Sequence, residues 1–431
     1  MSDRDTIFAL ATAPGKAGVA VLRISGCQVK RVAKNLSISL PAPRYAATRA
    51  LKDRDQALLD RGLVLFFPAG NSFTGEDVLE LHMHGSMAVV RALLRELSDM
   101  AGLRLARAGE FTRRALENDR LDVARVEGLA DLIDAETEAQ RRQAMRILSG
   151  DLGKISQTWR EDLTRAASLI EASIDFVDED LPTDVRPEVL SLLDGTLQSL
   201  AREMMGISAA QRIRSGFEVA ILGAPNVGKS TVLNALAGRP AAITSAYAGT
   251  TRDVIEVQMD LDGLLVCFLD TAGLRETSDP VEQMGIEQTL KRAEAADLRV
   301  VLTEAGTRPA LAPRCGDIVL TAKADLHGNP KQSISGKTGF GLAPLLEQIK
   351  KELSQRASIA GVATQQRHRT AMTQAQSSLH EAKTLLNSAP DRYDIIAEEI
   401  HCAIRALDSL IGRVDTETIL DEIFSRFCIG K

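Results

Sequence analysis

The chain reads as a multidomain protein of α+β and α/β class. It has an N-terminal α+β domain, a central helical domain and, inserted in the helical part, an α/β domain with a mostly parallel sheet. Three observations predict this. The stretch Gly223-Ala224-Pro225-Asn226-Val227-Gly228-Lys229-Ser230 follows the apolar run Val219 to Leu222 and opens a helical pattern through Val232, Leu233, Ala235 and Leu236. A strand, a glycine loop and a helix start in that order are the context a phosphate-binding loop needs. Around it, from 213 to 355, strand-like and helix-like runs alternate, which predicts a parallel sheet covered by helices. On either side, 119–212 and 356–431 carry apolar residues at helical spacing.

Taken in order, residues 1–118 form the first domain. Apolar runs from Ile7 to Ala11 and Val19 to Ile24 flank Pro14-Gly15-Lys16-Ala17-Gly18, a hairpin signal. Gly62 to Phe67 and Val78 to His82 read as further strands, and Met87 to Leu97 as a helix. In 119–212, Ala124, Val126, Leu129, Ala130, Leu132 and Ile133 recur at three- and four-residue steps, while Asp178-Glu179-Asp180-Leu181-Pro182 breaks the run as a loop. In 356–431 the apolar face is Ile395, Ile396, Ile400, Ile404, Leu407, Leu410 and Ile411. It is expected to pack on the earlier helical segment, making 213–355 an insertion, which the closeness of domain termini permits.

Length and composition agree with this division. A chain of 431 residues has room for about three domains. Hydrophobic residues make up 45% and charged residues 26%, an ordinary globular balance. The net charge of -6 rules out a global basic field, so contact with nucleic acid requires a local basic patch or a partner, and DNA binding is not expected. No run of about eighteen apolar residues is present, so no membrane span is expected. Five cysteines at scattered positions predict reduced thiols and a cytoplasmic location, not a disulfide framework or zinc site.

The motifs of 213–355 point to a guanine nucleotide. Glycine-loop N–H groups and the helix N-terminus favour phosphate. Lys229 is placed to reach the outer phosphates and Ser230 to ligate Mg²⁺. Gly249-Thr250-Thr251-Arg252-Asp253 reads as a switch loop with a threonine hydroxyl for Mg²⁺. Asp270-Thr271-Ala272-Gly273 follows the apolar strand Leu264 to Leu269, which places a carboxylate for a water-mediated Mg²⁺ contact and the Gly273 N–H for the γ-phosphate. Lys323-Ala324-Asp325 follows Asp317 to Leu320, and its carboxylate can accept two N–H bonds from guanine that adenine does not offer. Ser335-Gly336-Lys337 forms a turn suited to the guanine carbonyl. Each motif alone is weak; in this order, at strand ends, they predict a Ras-like P-loop GTPase.

Two departures stand out. GTPase base loops usually read Asn-Lys-x-Asp, but here the first position is Ala322, so an amide contact is lost and lower nucleotide affinity is expected. The residue after Gly273 is Leu274, which cannot orient water as the glutamine of Ras-like switches does. The Asn226 side chain offers instead a ligand for a monovalent cation beside the β- and γ-phosphates, where charge grows in the transition state.

With Gly-Thr-Thr-Arg-Asp and Asp-Thr-Ala-Gly-Leu-Arg-Glu, this loop resembles the MnmE (TrmE) family of potassium-activated GTPases that modify the wobble uridine of tRNA. The resemblance covers nearly the whole chain: Val21-Leu22-Arg23-Ile24-Ser25-Gly26, Gly109-Glu110-Phe111-Thr112-Arg113-Arg114-Ala115, and Ile174-Asp175-Phe176 followed by Glu179-Asp180 also fit. Departures are His84-Gly85-Ser86, where the family usually shows His-Gly-Gly, and Asn118-Asp119-Arg120-Leu121-Asp122, where it more often has Gly-Lys in the middle.

The resemblance implies the site residues in detail. The nucleotide set becomes Asn226, Val227, Gly228, Lys229, Ser230, Thr231, the run Ser245, Ala246, Tyr247, Ala248, Gly249, Thr250, Thr251, then Asp270, Thr271, Ala272, Gly273, Lys323, Asp325, Ser335, Gly336 and Lys337. K⁺ falls to Asn226, Ser245, Tyr247 and Thr250, and Mg²⁺ to Ser230 and Thr251. Lys229 and the water-orienting Glu282 carry hydrolysis; on sequence alone the favoured reading of Glu282 is a solvated helix-start carboxylate. The family ends in Cys-x-Gly-Lys, so Cys428 is implied as essential to tRNA modification and not to hydrolysis. On the residues alone the best reading of Cys428-Ile429-Gly430-Lys431 is a frayed, inert tail. A 5-formyl-tetrahydrofolate-type one-carbon folate is implied on the N-terminal domain at Arg23, Glu80, Arg120 and Lys431. Also implied are a homodimer through that domain and work on tRNA with the FAD-dependent protein MnmG, which places a carboxymethylaminomethyl-type group on C5 of the wobble uridine. The alternative is an Era-type ribosome-assembly switch, which would need an RNA-binding module such as a Gly-x-x-Gly loop that is not seen after residue 355.

Overall fold

The computed structural model describes every residue except 1–4, 176–183, 244–255, 271–290, 308–312, 315, 329–331, 390–391, 413–422, 425–426, 428–429 and 431. The chain forms two compact units: Met1–Ala130 together with Asp408–Lys431, and Asp131–Leu407.

The first unit is built on β1 (Thr6–Leu10), β2 (Ala17–Ser25), β3 (Ala47–Lys52), β4 (Leu58–Phe67), β5 (Val78–Gly85) and β6 (Leu103–Leu105), in the order β3-β4-β5-β2-β1-β6. The expected hairpin is present, with β1 antiparallel to β2 in the register Ile7↔Ser25 to Leu10↔Leu22. Strand alternation sorts the side chains. Phe8, Leu22, Ile24, Leu79 and Leu81 face a core shared with Val29 and Val32 of α1 (Val29–Asn35) and Leu93 and Leu97 of α2 (Met87–Ser98). Ile7 and Ala9 face the other way, against Ala106 and Phe111 of α3 (Glu110–Glu117). Each fully buried apolar side chain of this size contributes roughly 1.5–3 kcal/mol. The last segment of the chain belongs to this unit, because Phe424 and Phe427 pack on Val123 and Val126 of α4 (Val123–Ile133).

A charged lattice lies under α3. Arg114 is 3% exposed and holds Glu76 at 2.9 Å and Glu110 at 3.3 Å; Arg104 holds Glu110 at 2.6 Å. Burial alone would raise the Glu110 pKa, but hydrogen bonds from the Arg104 side chain and the Arg107 N–H, with the charges of Arg104 and Arg114, bring it down to about 2. A carboxyl depressed on folding stabilises the fold above its unfolded pKa and loses that contribution as pH falls toward the folded value. Stability of this unit is therefore expected to drop between about pH 4.5 and about pH 2. Urea unfolding across that range checks it. Glu110→Gln should flatten the profile, and an unchanged slope would remove Glu110 as the source.

In the second unit, α5 (Glu138–Leu148), α6 (Asp151–Asp175), α7 (Arg186–Ser215), α11 (Gln366–Ser388) and α12 (Tyr393–Asp408) form the helical part, with α7 packed on α5, α6 and α11. Proline in its first turn suits the start of α7, where no helical N–H is needed. The chain passes from α7 through Gly216 straight into β7 (Phe217–Gly223), the central strand of the second sheet.

That sheet has the order β11-β10-β7-β9-β8, from β8 (Glu256–Leu261), β9 (Leu264–Asp270), β10 (Leu298–Thr303) and β11 (Ile318–Thr321). Pairings of β7 with β9 and β10, and of β10 with β11, are parallel; the β8–β9 hairpin is antiparallel. Val219, Ile221, Phe268, Val300 and Leu302 pack against α8 (Lys229–Ala237) and α10 (Leu342–Ala357) through Val232, Leu236, Leu345 and Ile349. This is the Ras-like arrangement with a mostly parallel sheet. A short helix, α9 (Ala324–His327), follows β11.

Candidate functional site

The phosphate loop sits at the C-terminal end of β7, where open α/β sheets bind ligands. Its turn takes positive φ at three positions: Gly223 at 151°, Asn226 at 61° and Gly228, the residue before α8, at 113°. The Val227 side chain plugs the loop from below, fully buried. Lys229 opens α8, is 6% exposed, and its Nζ donates to the carbonyls of Gly223 at 2.9 Å and Ala224 at 3.0 Å. An ammonium held over the loop by two carbonyls is a preset charge for a polyphosphate. Ser230 and Thr231 continue the first turn of α8, so the loop residues of the nucleotide set lie together. Asp270 ends β9, opposite Ile221 of β7 in register, which brings the strand end beside the loop.

The base-recognition residues converge from two loops. Lys323 has φ 59° and caps α9, so Asp325 stands in its first turn. The Ser335 hydroxyl donates to the Asp325 carboxylate at 2.6 Å. That bond, more than any other contact, keeps the Asp325 pKa below the usual range, so the acceptor stays ionised at neutral pH. Lys323 Nζ pairs with Glu304 at 3.3 Å. Ala322 is 3% exposed and belongs to the apolar core, its N–H bonded to the Thr303 carbonyl at 2.8 Å. Ser245 to Thr251, Thr271, Ala272, Gly273 and Glu282 lie outside the described residues, as do Cys428 and Lys431.

On the first unit, β2 and β5 place Arg23 and Glu80 opposite each other, and the Arg23 Nε donates to Glu80 Oε1 at 2.9 Å. The guanidinium lies 5.7 Å from the ring centres of both Phe73 and Phe111, an aromatic setting that sequence reading missed because these residues are far from Arg23 in the chain. His82 reaches the other Glu80 oxygen at 3.3 Å. An ionised carboxylate offers about four lone-pair sites, so Glu80 keeps acceptor capacity for further N–H donors. Arg120 lies exposed on the turn after α3, its N–H bonded to the Ala115 carbonyl at 2.8 Å. Gly430 has φ 107° and approaches the end of β1 so closely that a Cβ there would stand 3.0 Å from the Ala11 Cα.

Among the described residues no three or more His, Cys, Asp or Glu side chains gather as a metal cluster, and no helix is long and apolar enough to cross a membrane. Among the described residues, Cys27, Cys267 and Cys402 form no disulfide.

A mostly parallel sheet, a phosphate loop at its central strand and an aspartate fixed in the base loop define a P-loop GTPase, here joined to a helical part and a separate α+β unit. The chain matches the family models "MnmE helical domain" over residues 123–428 and "GTP-binding protein TrmE N-terminus" over residues 6–120. It is 57% identical over 427 residues to the tRNA modification GTPase MnmE of Roseobacter denitrificans, covering 99% of this chain and 100% of that one, and 57% identical over 428 residues, with the same coverage, to that of Cereibacter sphaeroides. The chain belongs to the MnmE family of tRNA modification GTPases. Among solved structures, Era in complex with MgGDPNP and nucleotides 1506–1542 of 16S ribosomal RNA is similar at 30% identity over 32% of this chain and 56% of that chain, with a TM-score of 0.25, too low to weigh in the assignment.

Proposed function

We propose that this GTPase uses nucleotide hydrolysis to drive modification of C5 of the wobble uridine, as a homodimer acting with the FAD-dependent MnmG. The full-length likeness to tRNA modification GTPases supports this over an Era-type ribosome-assembly switch.

In this reading Lys229 and the N–H groups of Val227 to Thr231 hold the phosphates, while Asp325, Ser335 and Gly336 select guanine. Ser230 and Thr251 hold Mg²⁺; Asn226, Ser245, Tyr247 and Thr250 hold K⁺. Positive charge at that place supplies what an arginine finger supplies in other switches. Glu282 orients the attacking water, a role that Leu274 cannot take. The asparagine at position 226 of the phosphate loop, together with the full-length family likeness, supports the cation reading.

The second site is on the first unit. Arg23, Glu80, Arg120 and Lys431 bind a formyl-tetrahydrofolate, whose one-carbon group is passed to the uridine. Glu80 accepts N–H donors of the pterin ring, and the basic side chains hold the carboxylates of the folate. Cys428 serves the modification and takes no part in hydrolysis.

Wobble nucleosides from cells lacking the chain, analysed by mass spectrometry, test the reading. The C5-substituted uridines should disappear from the affected tRNAs. An unaltered nucleoside profile with a ribosome-assembly defect would return the Era-type alternative.

A further inference from the structure

The Glu80 carboxylate is gripped at both oxygens. Arg23 Nε donates to Oε1 at 2.9 Å, and His82 Nε2 lies 3.3 Å from Oε2. An ionised carboxylate only accepts, so the ring nitrogen at that contact carries the proton. Residues 80 and 82 are two apart on β5 and therefore share one face of the sheet. Their strand is held from both sides: His82 pairs with Val21 of β2 and Leu63 of β4, and Glu80 with Arg23 and Leu65.

The second grip matters because of the geometry a pterin demands. Its ring edge presents a 2-amino group and N3–H, two parallel donors that need two oxygens lying in the ring plane. The last torsion of a glutamate is broad, without sharp staggered wells. A donor on one oxygen leaves the carboxylate able to turn about the Cγ–Cδ bond; a donor on each oxygen fixes its plane. Arg23 is itself steadied by Phe73 and Phe111, whose ring centres lie 5.7 Å from the guanidinium. Each carboxylate oxygen keeps a lone pair for a ligand, and 16% of the Glu80 side chain stays exposed to meet one.

We propose that His82 is a positioning residue of the folate site: acting through Glu80, it locks the carboxylate in the plane that accepts the two parallel N–H donors of a pterin. The inference rests on the folate site proposed above.

The test is the dissociation constant of 5-formyl-tetrahydrofolate on the full-length protein, measured beside that of its 2-desamino analogue. The analogue offers one donor to Glu80 and has less need of a fixed plane. His82→Ala should weaken binding of the parent folate about tenfold and of the analogue by less than about threefold, the scale of one hydrogen bond to a charged group against a partial loss. His82→Gln, whose amide can donate to the same oxygen, should recover most of the affinity for the parent. Equal losses for the two ligands with His82→Ala, or no loss for the parent, overturn the inference and leave the folate site standing. A His82→Gln protein as weak as His82→Ala also overturns it. Wild-type protein that binds neither ligand overturns the folate reading together with the inference.

Discussion

Cys428→Ser is expected to abolish tRNA modification while GTP turnover continues at its ordinary rate. The substitution is nearly isosteric, so packing at the tail is preserved and the chemistry is isolated. Sulfur is the reactive atom because a thiol reaches the anionic form near neutral pH and a serine hydroxyl does not. The tail is not a free end: Gly430 lies against the carbonyl end of β1, and Phe424 and Phe427 are buried on α4. That anchoring is the structural reason to prefer a working tail over a frayed one. A modification assay with purified variant, run beside phosphate release, reads both outcomes. Parallel loss of both activities would sink the division into two sites.

The second large effect is on hydrolysis. Exchanging K⁺ for Na⁺ is expected to slow GTP turnover on the order of 10²-fold, the scale at which one fixed charge or donor acts on a transition state. The proposal needs a cation whose size suits the cradle of Asn226 and the backbone carbonyls of the switch loop, and a smaller ion does not span it. Asn226→Ala should remove the response to K⁺ and bring the rate close to that in Na⁺. A variant still stimulated by K⁺ would take Asn226 out of the ligand set, and equal rates in both salts would remove the cation altogether.

How much of this was legible in the chain depends on sequence distance. The phosphate loop is contiguous, and its strand, turn and helix can be read along the single stretch 217–237. The β1–β2 hairpin is announced by Pro14 and Gly15. By contrast β3, Ala47–Lys52, reads Ala-Thr-Arg-Ala-Leu-Lys, with one β-branched residue and no clean alternation; pairing with β4 makes it a strand. β6 is only three residues long and exists because Thr6 to Phe8 pair with it. The Arg114–Glu76 pair joins residues 38 apart, which no local pattern reports. The same applies at the sites. Asp325 was readable from its motif, but its hydroxyl partner Ser335 is ten positions away. Arg23 and Glu80 were nominated by resemblance, and only the register of β2 on β5 explains why they meet. Ala322 looked like a simple loss; its burial shows a methyl that the core uses.

The packing of Phe424 and Phe427 on α4, and of Gly430 beside Leu10, joins nearly the first residues made to nearly the last. The first unit lacks part of its own apolar wall until the segment carrying Phe424 and Phe427 has been made, after the GTPase strands. The later-made GTPase, whose strands all lie within one stretch of chain, can finish before it. A C-terminal truncation that removes Phe424 and Phe427 but spares the GTPase strands therefore strips apolar residues from the first unit.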